Sequence, residues 1–382
     1  MTAIADDPAV ALLRDLVAID SVNPSLSTDA RGEAAVARRI AGELEAIGMR
    51  VEISDAAPDR PNVVGVLEGR APGRSLMFCG HTDTVGVSGM LKPFAPEIRD
   101  GRLYGRGAQD MKGGVAAMIG AVRRIVESGG LARGRVIVGA VVDEEHASIG
   151  AEALVSQWRA DAAVVTEPTG LDVAVAHKGF QWVALETRGR AAHGSRPRDG
   201  RDAILRMGRV LARLESLDRR LQQGPSHPLL GTASLHASLV EGGHELSSYP
   251  ARAALQYERR TLPGEPSDIA LVEAKAILSE LHSEDSEFEA DARLVFGRGA
   301  YEIDAASQLP TLLMDAAKAA GCAPTISGMT FWTDAAILAE AGIPSVLFGP
   351  GGAGLHSIEE YVILEDVLRC RDALAELARA WC

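Results

Sequence analysis

Cysteine is scarce in this sequence. Four residues, Cys79, Cys322, Cys370 and Cys382, are scattered over 382 positions, too few and too dispersed for a disulfide framework. No apolar run approaches the roughly 18 residues that a membrane-spanning helix needs, and the opening MTAIADDPAVALL lacks the basic start and continuous apolar core of a secretion signal. The expectation is a protein that folds in water in a reducing cytoplasm, with no membrane as partner. Positive charge is also in deficit: 39 Lys and Arg face 52 Asp and Glu, a formal net charge of -13. That balance argues against nucleic acid or anionic lipid as a main partner, and it names no substrate. No internal repeat is visible.

What is there is an ordinary globular composition, 47% hydrophobic and 24% charged, on a chain longer than one hydrophobic core usually serves, so two domains are expected. SLMFCG (75–80), RVIVGAVV (135–142), DAAVVT (161–166) and PSVLFG (344–349) are short, apolar and followed by Gly or polar residues, the pattern of buried strands. GGVAAMIGAVRRIVESGG has helical length and spacing, with Gly129 and Gly130 placed to end it. This organisation predicts an α/β fold. From His177 to Ala290 the pattern changes: FQWVALETRG, TASLHASLVEGG and ARAALQYERRT alternate partially as strands, interleaved with two helices. One helix carries Ile204, Met207, Leu211 and Leu214 as an apolar stripe. After Ala290 the buried-strand pattern returns. The prediction is an α/β domain, residues 1–176 and 291–382, interrupted by an inserted α+β domain, residues 177–290.

In open α/β sheets, ligands sit beyond the carboxyl ends of the strands, and here those ends carry the charge. SLMFCG is followed by His81 and Asp83; if the strand continues, both share one face and Asp83 can stand behind the second ring nitrogen of His81. LYGRGAQDMKGG places Asp110 in a glycine-rich turn opening a helix. RVIVGAVV runs into Asp143, Glu144, Glu145 and His146, DAAVVT leads to Glu167, which Pro168 holds extended, and PSVLFG leads to His356. Singly, each has a bland reading, such as a helix cap for Asp110 or a surface loop for His81. Together they form the ligand inventory of a two-metal centre, in which ions about 3.5–4 Å apart share one carboxylate and one water. One carboxylate remains over, and a dinuclear hydrolase needs a general base beside its ions. While the strand persists, Glu144 and Glu145 point to opposite faces, so one can bind and the other take the proton; alternation does not say which.

LVAIDSVNPS, GHTDTV, GRGAQDMKGG, DEEHASIGA, TEPT, AAHGSRPRDGRDAI, ERRTLPGE and GPGGAGLHSIEEYV follow one another over nearly the whole chain. With these motifs the sequence resembles the di-metal amidohydrolases and metallopeptidases grouped around acetylornithine deacetylase, succinyl-diaminopimelate desuccinylase, carboxypeptidase G and aminoacylase. The resemblance implies a mixed-sheet catalytic domain with an inserted lid through which two copies form a homodimer. It implies that His81, Asp110 and Glu167 bind one ion and Asp110, Glu145 and His356 the other. Asp110 is then the bridge, Glu144 the general base and Asp83 the carboxylate orienting His81. The ions expected are Zn2+, with Co2+ or Mn2+ suiting the same imidazole and carboxylate set. From the lid, His193 matches the histidine that stabilises the oxyanion in the neighbouring subunit's site, and Arg260 matches the arginine that grips the substrate carboxylate. EGGHELSSYP departs from the family pattern: Ser247 stands where relatives often have Asn, so a substrate contact there is lost or passes to Ser248, Tyr249 or His244. The implied reaction is hydrolysis, by a metal-bridging water, of the amide in an N-acyl amino acid, acetylornithine first. Dipeptidase, carboxypeptidase and desuccinylase activities are the alternatives.

Two rival classes are weaker. GPGGAG (349–354) fits G-x-G-x-x-G after a strand, but the residues after Gly354 have room for one helix and no further strand, so a dinucleotide-binding βαβ unit cannot close. An inactive binding relative is expected to lose ligands or base, and all are present. His146, His177, His227, His236 and His282 are expected to be structural or surface residues, and Cys79 a buried hydrophobe. Lys112 and Arg106 are expected in local ion pairs, and Asp143 as a turn or capping residue.

Overall fold

Short apolar runs become central strands where both faces of a sheet are covered, and in the computed structural model, which describes residues 2–87 and 89–382, the four runs do so. The chain forms two units. The first holds the chain up to Val175, Ile303–Ser327 and Thr333–Cys382; the second holds Ala176–Glu302 and Gly328–Trp332.

The sheet of the first unit comprises β1 (Arg50–Ala57), β2 (Arg60–Glu68), β3 (Ser75–His81), β4 (Arg135–Val141), β5 (Ala162–Val165), β6 (Val173–His177, held by this unit as far as Val175) and β7 (Ser345–Leu347). Their order is β1-β2-β4-β3-β5-β7-β6. The central β4, β3, β5 and β7 run parallel and the flanking pairs antiparallel, so the sheet is mixed. Every residue of β3, β5 and β7 is buried. The register sets His81 opposite Val141, Cys79 opposite Val165 and Val165 opposite Leu347, which brings the four carboxyl ends to one edge of the sheet. Helix α1 (Gly113–Glu127) packs on β3 and on the last helix, α2 (Leu364–Trp381). It ends as expected, with Gly129 and Gly130 at positive φ and their N–H groups returned to Val126 and Ile125. A small sheet joins Arg102–Tyr104 to Tyr361–Ile363, with Tyr104 opposite Tyr361.

In the second unit four antiparallel strands lie in the order Ser234–Gly242, Arg252–Thr261, Gly179–Arg188, Glu289–Arg298. Helices Ala203–Gln222 and Ile269–Glu284 pack on them through Met207, Val210, Leu214, Ala274 and Ile277, against Val183, Leu185, Leu255 and Tyr257. The stripe of the first helix is rotated from expectation. Met207 and Leu214 are buried, but Ala203, Val210 and Leu217 share their face, while Ile204 is 45% exposed. Periodicity gives the spacing of a stripe and leaves its centre open by about one position. The expected boundary at 290/291 falls inside the strand Glu289–Arg298, which pairs along Gly179–Arg188, and the unit continues to Glu302. That strand is only partly buried and is broken by a bulge between Leu294 and Phe296, so its alternation is weak in sequence. Among the described residues no helix is long and apolar enough to cross a membrane.

Gly114, in the first turn of α1, lies against the backbone carbonyl of Thr166 with no room for a Cβ, whereas Gly42, on helix Ala34–Ile47, faces open space. Gly114→Ala should destabilise the chain by about 1–3 kcal/mol, and Gly42→Ala should be neutral or stabilise it by about 0.5–1 kcal/mol. Urea denaturation of the two variants distinguishes them.

Candidate metal centre

The strand ends deliver their polar side chains into one cage. His81 Nε2 lies 3.1 Å from Asp110 Oδ1 and 3.9 Å from Glu144 Oε2. The other Asp110 oxygen, Oδ2, lies 3.4 Å from His356 Nε2, which is 3.1 Å from Glu145 Oε2. Asp110 thus offers one oxygen to each imidazole, as a bridging carboxylate must. Ligand atoms of His81, Asp110 and Glu145 lie within 4.8 Å of one another, and so do those of His81, Glu144 and Glu167. His81, the two glutamates after β4 and Glu167 meet because the parallel register aligns the strand ends that carry them, while Asp110 and His356 come to them from segments outside the central sheet.

Two local expectations change. β4 stops at Val141, and Asp143, at φ +73°, turns the chain so that Glu144–Ala147 form a turn. Strand alternation therefore does not apply to Glu144 and Glu145, and both carboxylates reach the cage. β3 likewise stops at His81, so Asp83 is not placed behind it by alternation. Nδ1 of His81 donates to the backbone carbonyl of Asp83 at 3.0 Å, closer than the carboxylate oxygen at 3.5 Å. A carbonyl only accepts, so the ring proton sits on Nδ1 and Nε2 faces the acidic cage.

The cage holds more negative charge than its imidazoles offset. Burial, with the charges of Glu167, Asp334 and Glu145, raises Glu144 well above the usual carboxylate range despite His81. Burial, with Asp110, Asp334 and Glu145, does the same to Glu167. Burial and Asp110 push Glu145 up to about 7. Asp110 goes the other way: hydrogen bonds from His356 and His81 outweigh its burial and hold it low. His81 is pulled down by burial, yet Asp110, Asp83 and Glu144 more than reverse this. Hydrogen bonds to Asp110 and Glu145 raise His356 to about 10. Glu145 Oε1 and Glu167 Oε1 are buried with no hydrogen-bond partner. Orphaned buried carboxylate oxygens are costly unless a cation lies against them, so the donor set, its charge excess and these two oxygens fit divalent ions among the carboxylates and imidazoles of the cage.

A buried network below the cage escaped sequence reasoning. Asp83 accepts the backbone N–H of Glu144 on Oδ1 and of Glu145 on Oδ2, each at 3.2 Å, and the amide of Asn23 at 2.8 Å. Asn23 also donates to Asp143, which pairs with Arg60 at 3.0 Å, and Arg60 in turn forks onto Glu33. Asp143 is therefore a buried ion-pair member as well as a turn residue. Asp334, 1% exposed, adds a negative charge that helps raise Glu144 and Glu167. Of this network the sequence had singled out Asp83 and Asp143 in other roles, and Asn23 only as part of the SVNPS motif.

The remaining candidates lie in the second unit. Ser195 N–H donates to His193 Nδ1, which puts the His193 proton on Nε2; the side chain is exposed. Ser247 is exposed too, and its backbone carbonyl accepts the N–H of Gly194 at 2.7 Å, while His244 stands exposed nearby in sequence. Arg260 is engaged through Nε by Glu258 at 2.6 Å, which also takes Trp182 Nε1 at 2.8 Å. Elsewhere Cys79 is buried and His146 exposed. His177 is buried against Tyr301 and Trp332, its pKa lowered to about 4 by burial. Lys112 is not in a local ion pair: it is buried and donates to the carbonyl of Ile19. Gly349 presses on the carbonyls of Thr166 and Glu167, and the segment after Gly354 is a turn and a strand before any helix, so the glycines open no nucleotide-binding helix.

A carboxylate-imidazole cage at the carboxyl edge of a mixed α/β sheet defines a metal-dependent hydrolase acting on amides. The chain belongs to peptidase family M20/M25/M40, whose model matches residues 77–380. It is 31% identical to an acetylornithine deacetylase of Myxococcus xanthus over 97% of each chain. It is 30% identical to a succinyl-diaminopimelate desuccinylase of Gluconacetobacter diazotrophicus, over 97% of this chain and 96% of that one. Among solved structures, a dinuclear metal-binding M20 peptidase of Bacillus subtilis superposes with a TM-score of 0.76 at 17% identity, covering 100% of this chain and 99% of that one.

The raised imidazoles carry protons when no ion is bound, and ions bind neutral imidazole. Loading the ion-free protein at pH 7.5 should release roughly one proton or more per ion, and affinity should fall as pH falls. Calorimetric titration in buffers of different ionisation enthalpy measures this; a heat independent of buffer would contradict it.

Proposed function

We propose that this chain hydrolyses the amide of an N-acyl amino acid, in the manner of an acetylornithine deacetylase. The observation that carries the reading is Asp110 set between the two imidazoles of His81 and His356 with Glu144 beside it; the Myxococcus relative supports the acetyl group and the diamino acid. His81, Asp110 and Glu167 would hold one ion, and Asp110, Glu145 and His356 the other, with Zn2+ first and Co2+ or Mn2+ as substitutes. Such ions polarise a carbonyl and lower the pKa of water. Glu144 is the proton carrier. Its carboxylate, 3.9 Å from His81 Nε2 and grouped with His81 and Glu167, is placed to take the proton of the attacking water and return it to the leaving nitrogen. Asp83 holds the backbone of Glu144 and Glu145 so that the two carboxylates keep separate roles.

From the second unit, read as a lid through which two copies dimerise, His193 with its proton on Nε2 is a donor for the developing oxyanion of the neighbouring site. Arg260 receives the substrate carboxylate, and Ser247 and His244 lie where side-chain selection is made. Four free cysteines agree with a reducing cytoplasm. A desuccinylase is the second reading, favoured by the 30% identity to the Gluconacetobacter enzyme.

With Zn2+ supplied, kcat/KM across N-acetyl, N-succinyl and N-carbamoyl amino acids and dipeptides should be highest for N-acetylornithine. A preference for the N-succinyl diamino acid would replace the first reading with the second, and full turnover after exhaustive chelation would remove both. Glu144→Gln should keep both ions and lose about 10²–10⁴ in kcat; loss of an ion instead would exchange the roles of Glu144 and Glu145.

A further inference from the structure

The two imidazoles of the cage are held very differently. His81 ends a central strand, is 1% exposed and has its Nδ1 tied to the backbone of Asp83. His356 sits in the loop between the short strands Gly352–Ala353 and Tyr361–Ile363, at φ +56°, with a side chain 54% exposed. Something other than the central sheet must bring it to Asp110.

The residues that do so are Arg106 and Glu360. Expected in a local ion pair, Arg106 pairs instead with Glu360, 254 positions away, at 2.8 Å, and both side chains are almost wholly buried. Glu360 Oε2 accepts from Arg106 Nη1 and from Gly107 N at 2.9 Å; Oε1 accepts from Gln109 N at 2.8 Å and from Asp110 N at 3.1 Å. One carboxylate thus gathers three backbone N–H groups of the Asp110 turn. Arg106 returns the contact, its Nη2 donating at 2.9 Å to the carbonyl of Ser357, the residue after His356. The pairing of Tyr104 with Tyr361 continues into this clamp, since Gly105 N donates to the carbonyl of Glu360 at 3.1 Å.

We propose that Arg106 and Glu360 are positioning residues that lock the loop of His356 to the turn of Asp110 and so determine whether the second ion position is filled. This rests on the reading of Asp110 and His356 as ion ligands. Groups that orient ligands without touching the ion typically change its affinity 10–100-fold. The effect is greater at one position: the first ion shares only Asp110 with the clamp, since His81 ends β3 and Glu167 follows β5, whereas the second takes both Asp110 and His356, which the clamp holds together. Glu360→Gln keeps the size but turns one oxygen into a donor, so it can no longer accept from both the Arg106–Gly107 pair and the Gln109–Asp110 pair.

The test is calorimetric titration of ion-free protein with Zn2+, read with bound-metal analysis after gel filtration. The unaltered chain should bind two ions. Glu360→Gln should bind the second ion about 10–100-fold more weakly and weaken the first, which shares only Asp110 with the clamp, by clearly less. Arg106→Lys, which keeps the charge but cannot span Glu360 and Ser357 together, should weaken the same step to a lesser degree, and it carries the test if Glu360→Gln does not fold. Two ions at unaltered affinity in both variants would overturn the proposal, and so would equal weakening of both steps. An unaltered chain that binds no Zn2+ would instead sink the reading of the cage as a metal centre.

Discussion

Several carboxylates forced into one buried cavity are the constraint around which the first unit is organised. Asp110, Glu144, Glu145 and Glu167 share it with two imidazoles, and the three glutamates are raised above their ordinary range as a result. Such a concentration is tolerable where cations complete it. The two orphaned oxygens of Glu145 and Glu167 mark where the protein's own donors end.

Holding that charge in place takes a second layer of buried polar groups on each side of the cage. On one side Arg60 and Asn23 neutralise and anchor Asp83 and Asp143, and Asp83 grips the backbone of the two glutamates. On the other, Arg106 and Glu360 gather the Asp110 turn. Both use a buried arginine: Arg60 forks onto the Glu33 carboxylate, and Arg106 gives one N–H to Glu360 and another to the carbonyl of Ser357. The hydrophobic sheet supplies rigidity and these pairs supply aim. A long apolar strand can run into a cluster of acids without conflict because its end is the floor of the cage.

The second unit follows other rules. Its antiparallel sheet buries one face under two helices, and its polar candidates lie on exposed loops, His193, Ser247 and His244, or near the end of an inner strand, Arg260. Loops of this kind vary while the scaffold stays. That agrees with similar identity to a deacetylase and to a desuccinylase: the parts shared with both need not include the surfaces that choose the acyl group.

Buried strands, the change of pattern at about His177 and the polar residues at each strand end were determined by the sequence itself, because apolar periodicity and local spacing are properties of neighbouring residues. The roles given to individual ligands came from resemblance. Only tertiary structure decided which residues meet. Strand alternation misled at Glu144 and Glu145 and at His81 and Asp83, since one strand stops at Val141, before the glutamates, and the other at His81 itself. Asn23, Arg60 and Glu33 gave no periodic signal, and Arg106 and Glu360 lie 254 positions apart. Their partnership arises from the pairing of Tyr104 with Tyr361 and from a buried carboxylate collecting backbone N–H groups, contacts that exist only once the distant segments have been brought together.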